Sequence, residues 1–309
     1  MPSLKRKKSH KRLSNALVFL VAFLLFLLLF GGLCLWAVVK INQERQSTQD
    51  PTTSVTEEGP IFSEEDAKTL LLVTTDAGEA QGFVAVRMDP AAGRITTMAF
   101  PRETAVYSGT DTYRLYELFA SQGVTGVRDS LSQLTGIAFD NYAVITYDNI
   151  EKLVTYLGDG LLTELSENLD YNADGYFIKL EAGPRVLTAP QVTNVLRYPN
   201  WQGGRRQKAA IQAQLTSSLI NQYLTPARQS TADKDFSTIV NLLQSDIRVS
   251  HYNAAKAGLD YLGTLNKDSG SICSAASFPG EFVGSGDQLR FYADDQVKAQ
   301  LGSAWGVSG

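Results

Sequence analysis

The sequence predicts an α/β protein, a layered α-β-α domain around a central mixed sheet, preceded by one transmembrane helix. Three observations carry that expectation. An uncharged apolar run lies near the N-terminus, continuous apolar strands begin soon after a polar stretch, and strand patterns then alternate with helix-spaced apolar residues that stop at glycines.

Residues 1–15 form a basic tail containing Lys5, Arg6, Lys7, Lys8, Lys11 and Arg12. From Ala16 to Val39 the chain reads ALVFLVAFLLFLLLFGGLCLWAVV. At ~1.5 Å per residue this run spans roughly 36 Å, enough to cross a bilayer with some tilt. Only Lys40 and Arg45 follow closely, so the positive-inside bias places the N-terminus in the cytoplasm and the rest outside the cell membrane. A secretory signal would have a shorter apolar core and a small-residue cleavage site; Trp36, Val38, Val39 and Lys40 follow instead, which implies a retained anchor. Residues 40–61 include NQERQSTQDPTTSVTEEGP, polar and without periodicity, and read as a flexible extracytoplasmic stalk. The remainder, 62–309, is long enough for one α/β domain with a substantial core.

Within that domain TLLLVTT, ending at Asp76, reads as a buried strand. GFVAVRMD and RITTMAFP read as a strand pair turned by Pro90, Ala91, Ala92 and Gly93, and the three strands are expected at the sheet centre. Val127, Leu131 and Leu134 recur at helical spacing and stop at Gly136; Ile150, Leu153, Val154 and Leu157 do the same and stop at Gly158. NYAVITY between them reads as a strand. Val192, Val195 and Leu196 predict a short helix, and Ile211, Leu215 and Leu219 a longer one starting near Arg206. Further helices are expected around Ile239 to Leu243 and Ala254 to Leu262, and a strand around Ser271 to Ala275.

Charge and residue usage exclude several chemistries. The net charge is −4, but seven Lys/Arg and no acids fall in the first 40 residues, leaving 21 basic against 32 acidic residues, or −11, for the rest. An acidic outer domain argues against nucleic acid as a partner, and the cytoplasmic tail is too short to read DNA bases. The two cysteines, Cys34 in the apolar run and Cys273 near the C-terminus, are not placed to bridge, and Cys273 is expected to pack as a small apolar residue. His10 and His251 are the only histidines, so a Ser-His-Asp triad or a multi-histidine metal site is not easily assembled. His251 is expected on the surface just before a helix. No GxxxxGK[ST] loop, GxGxxG turn or CxxC pair occurs.

What remains is a set of basic residues at element ends. Arg102 follows a strand in AFPRETAV, where Pro101 restricts the chain; Arg197 ends a short helix; Arg205 and Arg206 open the next one after Gly203-Gly204. By residue type alone these are either solvated surface arginines or a bidentate clamp for a phosphate or diphosphate. Tyr198, Trp201 and Tyr223 lie near them in sequence, with core or rim packing as the default.

The order of these segments resembles the LytR-CpsA-Psr family of bacterial envelope proteins, from Thr69 to about Tyr292. The most specific piece is AFPRETAV, similar to the family's strand ending in Pro-Arg-Asp-Thr, with Pro101, Arg102 and Thr104 kept and Glu103 in place of Asp. LTGIAFDNYAVITYDNIEKLVTYLGDG has the family's helix-strand-helix rhythm, including Asp140, Tyr142 and Leu157-Gly158. LTAPQVTNVLRYPNWQGGRRQKAAI resembles its helix ending in Arg, the loop, and the Arg-Gln that starts a long helix.

The resemblance implies transfer of a cell-wall glycopolymer from a polyprenyl-pyrophosphate carrier onto a peptidoglycan hydroxyl, with Mg²⁺ or Mn²⁺ as cofactor. On that reading Asp76 matches the family's first metal-binding aspartate, Arg102, Arg197, Arg205 and Arg206 grip the diphosphate, and Gln207 orients an oxygen. The chain departs from the pattern in four places: Gln81 stands where the second metal-binding aspartate is expected, the arginine beside that aspartate is missing with only AGEA between Asp76 and Gln81, Arg-x-Arg becomes Arg197-Tyr198-Pro199, and the later Arg-Gln segment shortens to GGRRQ. Glu79, Glu103 and Asp111 are the candidates for a substitute carboxylate. The other classes implied are a catalytically silent envelope scaffold that keeps a lipid-phosphate pocket, and a glycan-binding module with exposed aromatics.

Overall fold

In a computed structural model of the chain, residues 60–307 apart from 159 and 174 are described. The basic tail, the apolar run Ala16 to Val39 and most of the stalk lie outside them.

The domain is built on one tight hairpin. β1 (Lys68–Asp76) and β2 (Glu79–Asp89) are joined by Ala77 and Gly78 alone, both at positive φ, 49° and 83°. A two-residue turn with two left-handed positions matches the right-handed twist of its flanking strands, and it is an unusual place for an alanine. β3 (Arg94–Phe100) pairs with β2 in antiparallel register after the Pro90 to Gly93 turn. The hairpin of β4 (Ala105–Ser108) and β5 (Asp111–Arg114) then leads into α1 (Leu115–Thr135), which kinks at Gly123 and ends at Gly136, φ 76°. β6 (Asn141–Thr146) runs parallel to β1, and Thr146 caps α2 (Tyr147–Leu157) by accepting from the Asn149 amide at 3.2 Å.

Four short strands follow that the sequence analysis did not anticipate. β7 (Leu161–Leu165) pairs with β10 (Gly183–Leu187), and β8 (Leu169–Ala173) with β9 (Tyr176–Leu180). α3 (Ala189–Arg197) and α4 (Gly204–Tyr223) come next, then α5 (Pro226–Gln229), α6 (Ala232–Val240), the two-residue β11 (Gln244–Ser245), α7 (Val249–Ser269) and β12 (Cys273–Ser277). The hairpin of β13 (Gly280–Val283) and β14 (Arg290–Ala293) and the short α8 (Val297–Leu301) complete the domain.

The main sheet has six strands in the order β11-β6-β1-β2-β3-β12, with β6 parallel to β1 and β12 parallel to β3. This is the expected mixed sheet, with the first two strands at its centre. Two boundaries differ from expectation. The helix expected at Ile239 to Leu243 is α6, and it stops at Val240. α7 begins at Val249, so His251 lies in its first turn, where Nδ1 faces the Asn141 amide at 2.9 Å.

The two faces of the sheet are filled differently. On one, Leu71, Val73, Phe83, Ala85, Met98 and Phe100 pack densely against Leu115, Leu118, Val127 and Leu131 of α1. On the other, Leu70, Leu72, Val84, Val86, Ala143 and Ile145 face helices that stand off from them, leaving an apolar cavity of about 530 Å³. Helices α2 to α7 supply most of its remaining walls. A third cluster, formed by α2, α3 and the strands from β7 to β10, buries Tyr198 and Trp201, which settles those aromatics as core. Cys273 is buried in β12, and burial pushes its thiol up to about 11.

Leu118 is fully buried in the dense face. Leu118→Ala should lower unfolding free energy by about 2–5 kcal/mol, the cost of a leucine deletion in a packed core, as read by urea denaturation.

Candidate functional site

The polar site forms where β1 and β3 end and β2 begins, at the rim of the apolar cavity. Thr74 on β1 and Gln212 on α4 line the cavity, while Asp76 stands two residues beyond Thr74 and Gln212 donates to the Gln81 carbonyl at 3.0 Å. Gln212 is only 4 % exposed and rests directly on Gly82: a Cβ there would fall 1.9 Å from its Oε1, so glycine is required for this approach.

Asp76 and Arg197 meet across 121 residues of sequence. Arg197 Nε donates to one carboxylate oxygen at 2.8 Å and its Nη2 to the other at 2.9 Å, a bidentate pair that links the end of β1 to the end of α3. The Arg197 hydrogen bond, opposed by burial, holds the Asp76 carboxyl below the usual aspartate range. Arg197 also lies 5.1 Å above the Tyr147 ring. Burial pushes the Tyr147 hydroxyl up, the Asp76 charge pushes it further, and Arg197 and Arg102 pull it down, so all three charges stand around this ring.

Arg102 is placed by the turn after β3. The Thr104 hydroxyl and amide both donate to the Pro101 carbonyl, at 2.7 and 2.9 Å, which fixes the chain as it leaves the strand. From there the Arg102 guanidinium donates to Gln81 Oε1 at 2.7 Å and lies 4.4 Å over the Tyr116 ring. Glu103 next to it is 4 % exposed and pairs with Arg205 at the start of α4. A buried carboxylate needs such a partner because its desolvation cost is otherwise uncompensated.

The helical period decides what the rest of GGRRQ can do. Arg205, Lys208 and Gln212 share one face of α4 and line a small cleft with Gln81, Arg102 and Glu103. Arg206 and Gln207 do not line it. Arg206 donates to the Gly280 carbonyl at 2.7 Å and covers the Phe291 ring, and Gln207 donates to Ser166 at 2.8 Å and Glu167 at 3.0 Å. Of the residues the sequence suggested, Asp76 pairs with Arg197, Arg102 and Arg205 share the cleft, and Arg206 and Gln207 are engaged elsewhere. Lys208 was missed; its position three residues after Arg205 was the available signal. Burial lowers its pKa, and the Arg102 and Arg205 charges lower it further.

The donors do not fit a divalent cation. A magnesium site needs oxygen ligands in near-octahedral array. Both Asp76 oxygens already accept from Arg197, Gln81 offers an amide oxygen that accepts from Arg102, and Glu103 is held by Arg205. Among the described residues no three His, Cys, Asp or Glu side chains come together as a metal-binding group. The cluster's chemistry is that of arginines and a lysine: it can neutralise and orient anionic oxygens.

The family model described as LytR_cpsA_psr matches residues 37–282. Solved structures share the fold. A transcription regulator candidate from Eubacterium siraeum is 18% identical with a TM-score of 0.70, covering 84% of this chain and 100% of its own. TagV from B. subtilis is 16% identical with a TM-score of 0.66, covering 80% of this chain and 100% of its own. TagT bound to LIIa-WTA is 16% identical with a TM-score of 0.60, covering 84% and 98%. No curated protein sequence matches the chain.

Because the folded-state pKa of Asp76 lies below the unfolded one, near ~3.9, its contribution is present above that value and fades as pH falls through the lowered one. Asp76→Asn should cost about 1 kcal/mol at pH 7, a partly exposed charge-assisted pair, and the gap to the unsubstituted protein should narrow and close in melts taken at successively lower pH through the lowered pKa.

Proposed function

Since the chain belongs to the LytR_cpsA_psr family, we propose that it is a membrane-anchored phosphotransferase of the bacterial cell envelope. It moves a glycopolymer from a polyprenyl-pyrophosphate carrier onto a hydroxyl of peptidoglycan.

One observation carries this reading: an apolar cavity of about 530 Å³ meets a cluster of arginines at one end, through Thr74 and Gln212. Its lining is aliphatic along the sheet face and helices, so it suits a hydrocarbon chain, and its volume lies in the range of ligand pockets. A polyprenyl diphosphate has both halves in that order, an apolar tail and a charged head. With the tail in the cavity, the diphosphate lies against Arg102, Arg197 and Arg205.

The reaction joins the acceptor oxygen to the phosphorus that carries the polymer and breaks that phosphorus's bond to the bridging oxygen. The departing polyprenyl phosphate keeps the bridging oxygen and its electron pair, and the hydroxyl proton is lost to solvent. In such a transfer the protein chiefly supplies position and charge. Arg102, held by Gln81 and Tyr116, faces the oxygens that gain charge as the bond breaks. Asp76 acts through Arg197, fixing its guanidinium in one orientation. The anchor at residues 16–39 keeps this site beside its lipid substrate.

The saturated Asp76 and the amide at Gln81 favour a second reading, an envelope protein that binds the lipid head without turnover. Release of polyprenyl phosphate by the full-length chain in detergent separates the two. In the transferase, Arg102→Ala should reduce turnover by about 10²-fold or more, the usual loss for a transition-state donor, with an unchanged melting temperature. Turnover unaffected by Arg102→Ala would overturn the placement of the head group, and no turnover with retained lipid binding would select the silent reading. Leu72→Trp, which fills the cavity next to the sheet, should weaken binding of the prenyl lipid at least about tenfold, because the indole occupies the space of several methylenes.

A further inference from the structure

The resemblance assigns neutralisation of the diphosphate to a divalent cation held by two aspartates. This chain has one of them, Asp76, and commits both of its oxygens to Arg197. Across the two-residue turn the residue paired with Asp76 is Glu79, an exposed acid, so the turn offers one further carboxylate and no second aspartate. Gln81, two residues further along β2, has its side-chain oxygen taken by Arg102. With the Asp76 and Gln81 oxygens both engaged by arginines, a side-chain cation beside them can take the metal's part if a diphosphate is held here.

Lys208 is in a position to supply it. It projects into the cleft between Arg102 and Arg205, where three cations face a single carboxylate, Glu103. Glu103 is paired with Arg205, so neither Arg102 nor Lys208 has a carboxylate in ion-pair contact among the described residues. No ion pair of the Lys208 side chain is found among the described residues. Grouping cations costs Coulomb energy; the Lys208 pKa is lowered first by burial and then by the Arg102 and Arg205 charges. An anion at the cleft mouth would remove that cost. The cleft itself has room for only about 10 Å³, so phosphate oxygens would sit at its mouth, beside the exposed end of Arg205.

Gln212 points to the same place. Its Oε1 is buried and accepts no hydrogen bond, although its amide nitrogen is used on the Gln81 carbonyl. It lies four residues after Lys208 on the same face of α4, and an ammonium has three donors to distribute. A lysine lining the cleft can give one donor to Gln212 and the others to a phosphate at the mouth.

Resting on the phosphotransferase reading above, we propose that this chain binds its diphosphate without a divalent cation, with Lys208 as the group that replaces the metal's charge beside Arg102 and Arg205, positioned by Gln212.

The test is calorimetric binding of geranylgeranyl pyrophosphate to the full-length chain in detergent, in buffer stripped of divalent ions over chelating resin and again with added Mg²⁺. The unsubstituted protein should bind in both with Kd values within about threefold, since the protein's own cations already oppose the charge. Lys208→Met should weaken metal-free binding about tenfold or more, and Lys208→Arg should retain it. Binding by the unsubstituted protein only when Mg²⁺ is present would overturn the proposal while leaving the phosphotransferase reading intact. Unchanged affinity in a Lys208→Met protein with the normal melting temperature would also overturn it. If Lys208→Met unfolds, the metal-free titration of the unsubstituted protein and the Lys208→Arg variant still decide. Absence of binding in either buffer would remove the phosphotransferase reading together with this one.

Discussion

The bidentate pair between Asp76 and Arg197 ties together parts of the molecule that the chain visits 121 residues apart. Asp76 closes the central strand of the main sheet, and Arg197 closes a helix whose other contacts lie in a separate apolar cluster with Tyr198 and Trp201. The pair adds a direct link from α3 to β1, beside the packing of α3 on α2, α4 and the strands β9 and β10. A guanidinium suits the junction because its planar donors match both carboxylate oxygens at once, and a lysine would offer a point charge without that orientation.

That cavity is itself a departure from ordinary packing. Protein interiors are close-packed, and apolar walls without contacts forfeit dispersion energy. The sheet shows both conditions: one face is filled by α1 and the C-terminal segment, and the opposite face is left open beneath α2, α3, α4, α6 and α7. The dense face carries the stability that the open face gives up. An unfilled aliphatic space next to a group of arginines is the arrangement expected of a protein completed by an amphiphilic ligand.

Electrostatics at the rim follow from the same geometry. Gln81, a neutral amide, holds Arg102 by a single hydrogen bond, so the arginine keeps its charge uncompensated and is steered by Tyr116 as well. Glu103 is consumed by Arg205, and Asp76 by Arg197. The carboxylates thus serve to position arginines, and the excess positive charge falls on Arg102 and Lys208. An acidic domain that carries one such cationic spot directs anionic ligands to it, since repulsion elsewhere on the surface narrows the choice.

The mixed α/β architecture, the first three strands, the helix ends at Gly136 and Gly158, and the resemblance carried by AFPRETAV were all legible in the sequence. They rest on local periodicity, turn residues and short motifs, which report interactions between near neighbours. The four strands from β7 to β10 were not legible, because they are brief and half exposed and hold no sustained pattern. Arg102, Arg197 and Asp76 could be named as candidates from their positions at element ends, yet their meeting depends on how β1, β3 and α3 pack. The roles within GGRRQ were decided in the same way. The rotation of α4 against the sheet turns Arg205 and Lys208 toward the cleft and Arg206 and Gln207 away, and that rotation is set by the burial of Ala209, Ile211, Ala213 and Leu215 against the surrounding elements. Sequence determined which residue types were available for phosphate chemistry; tertiary packing, through the phase of one helix, decided which of them reach the site.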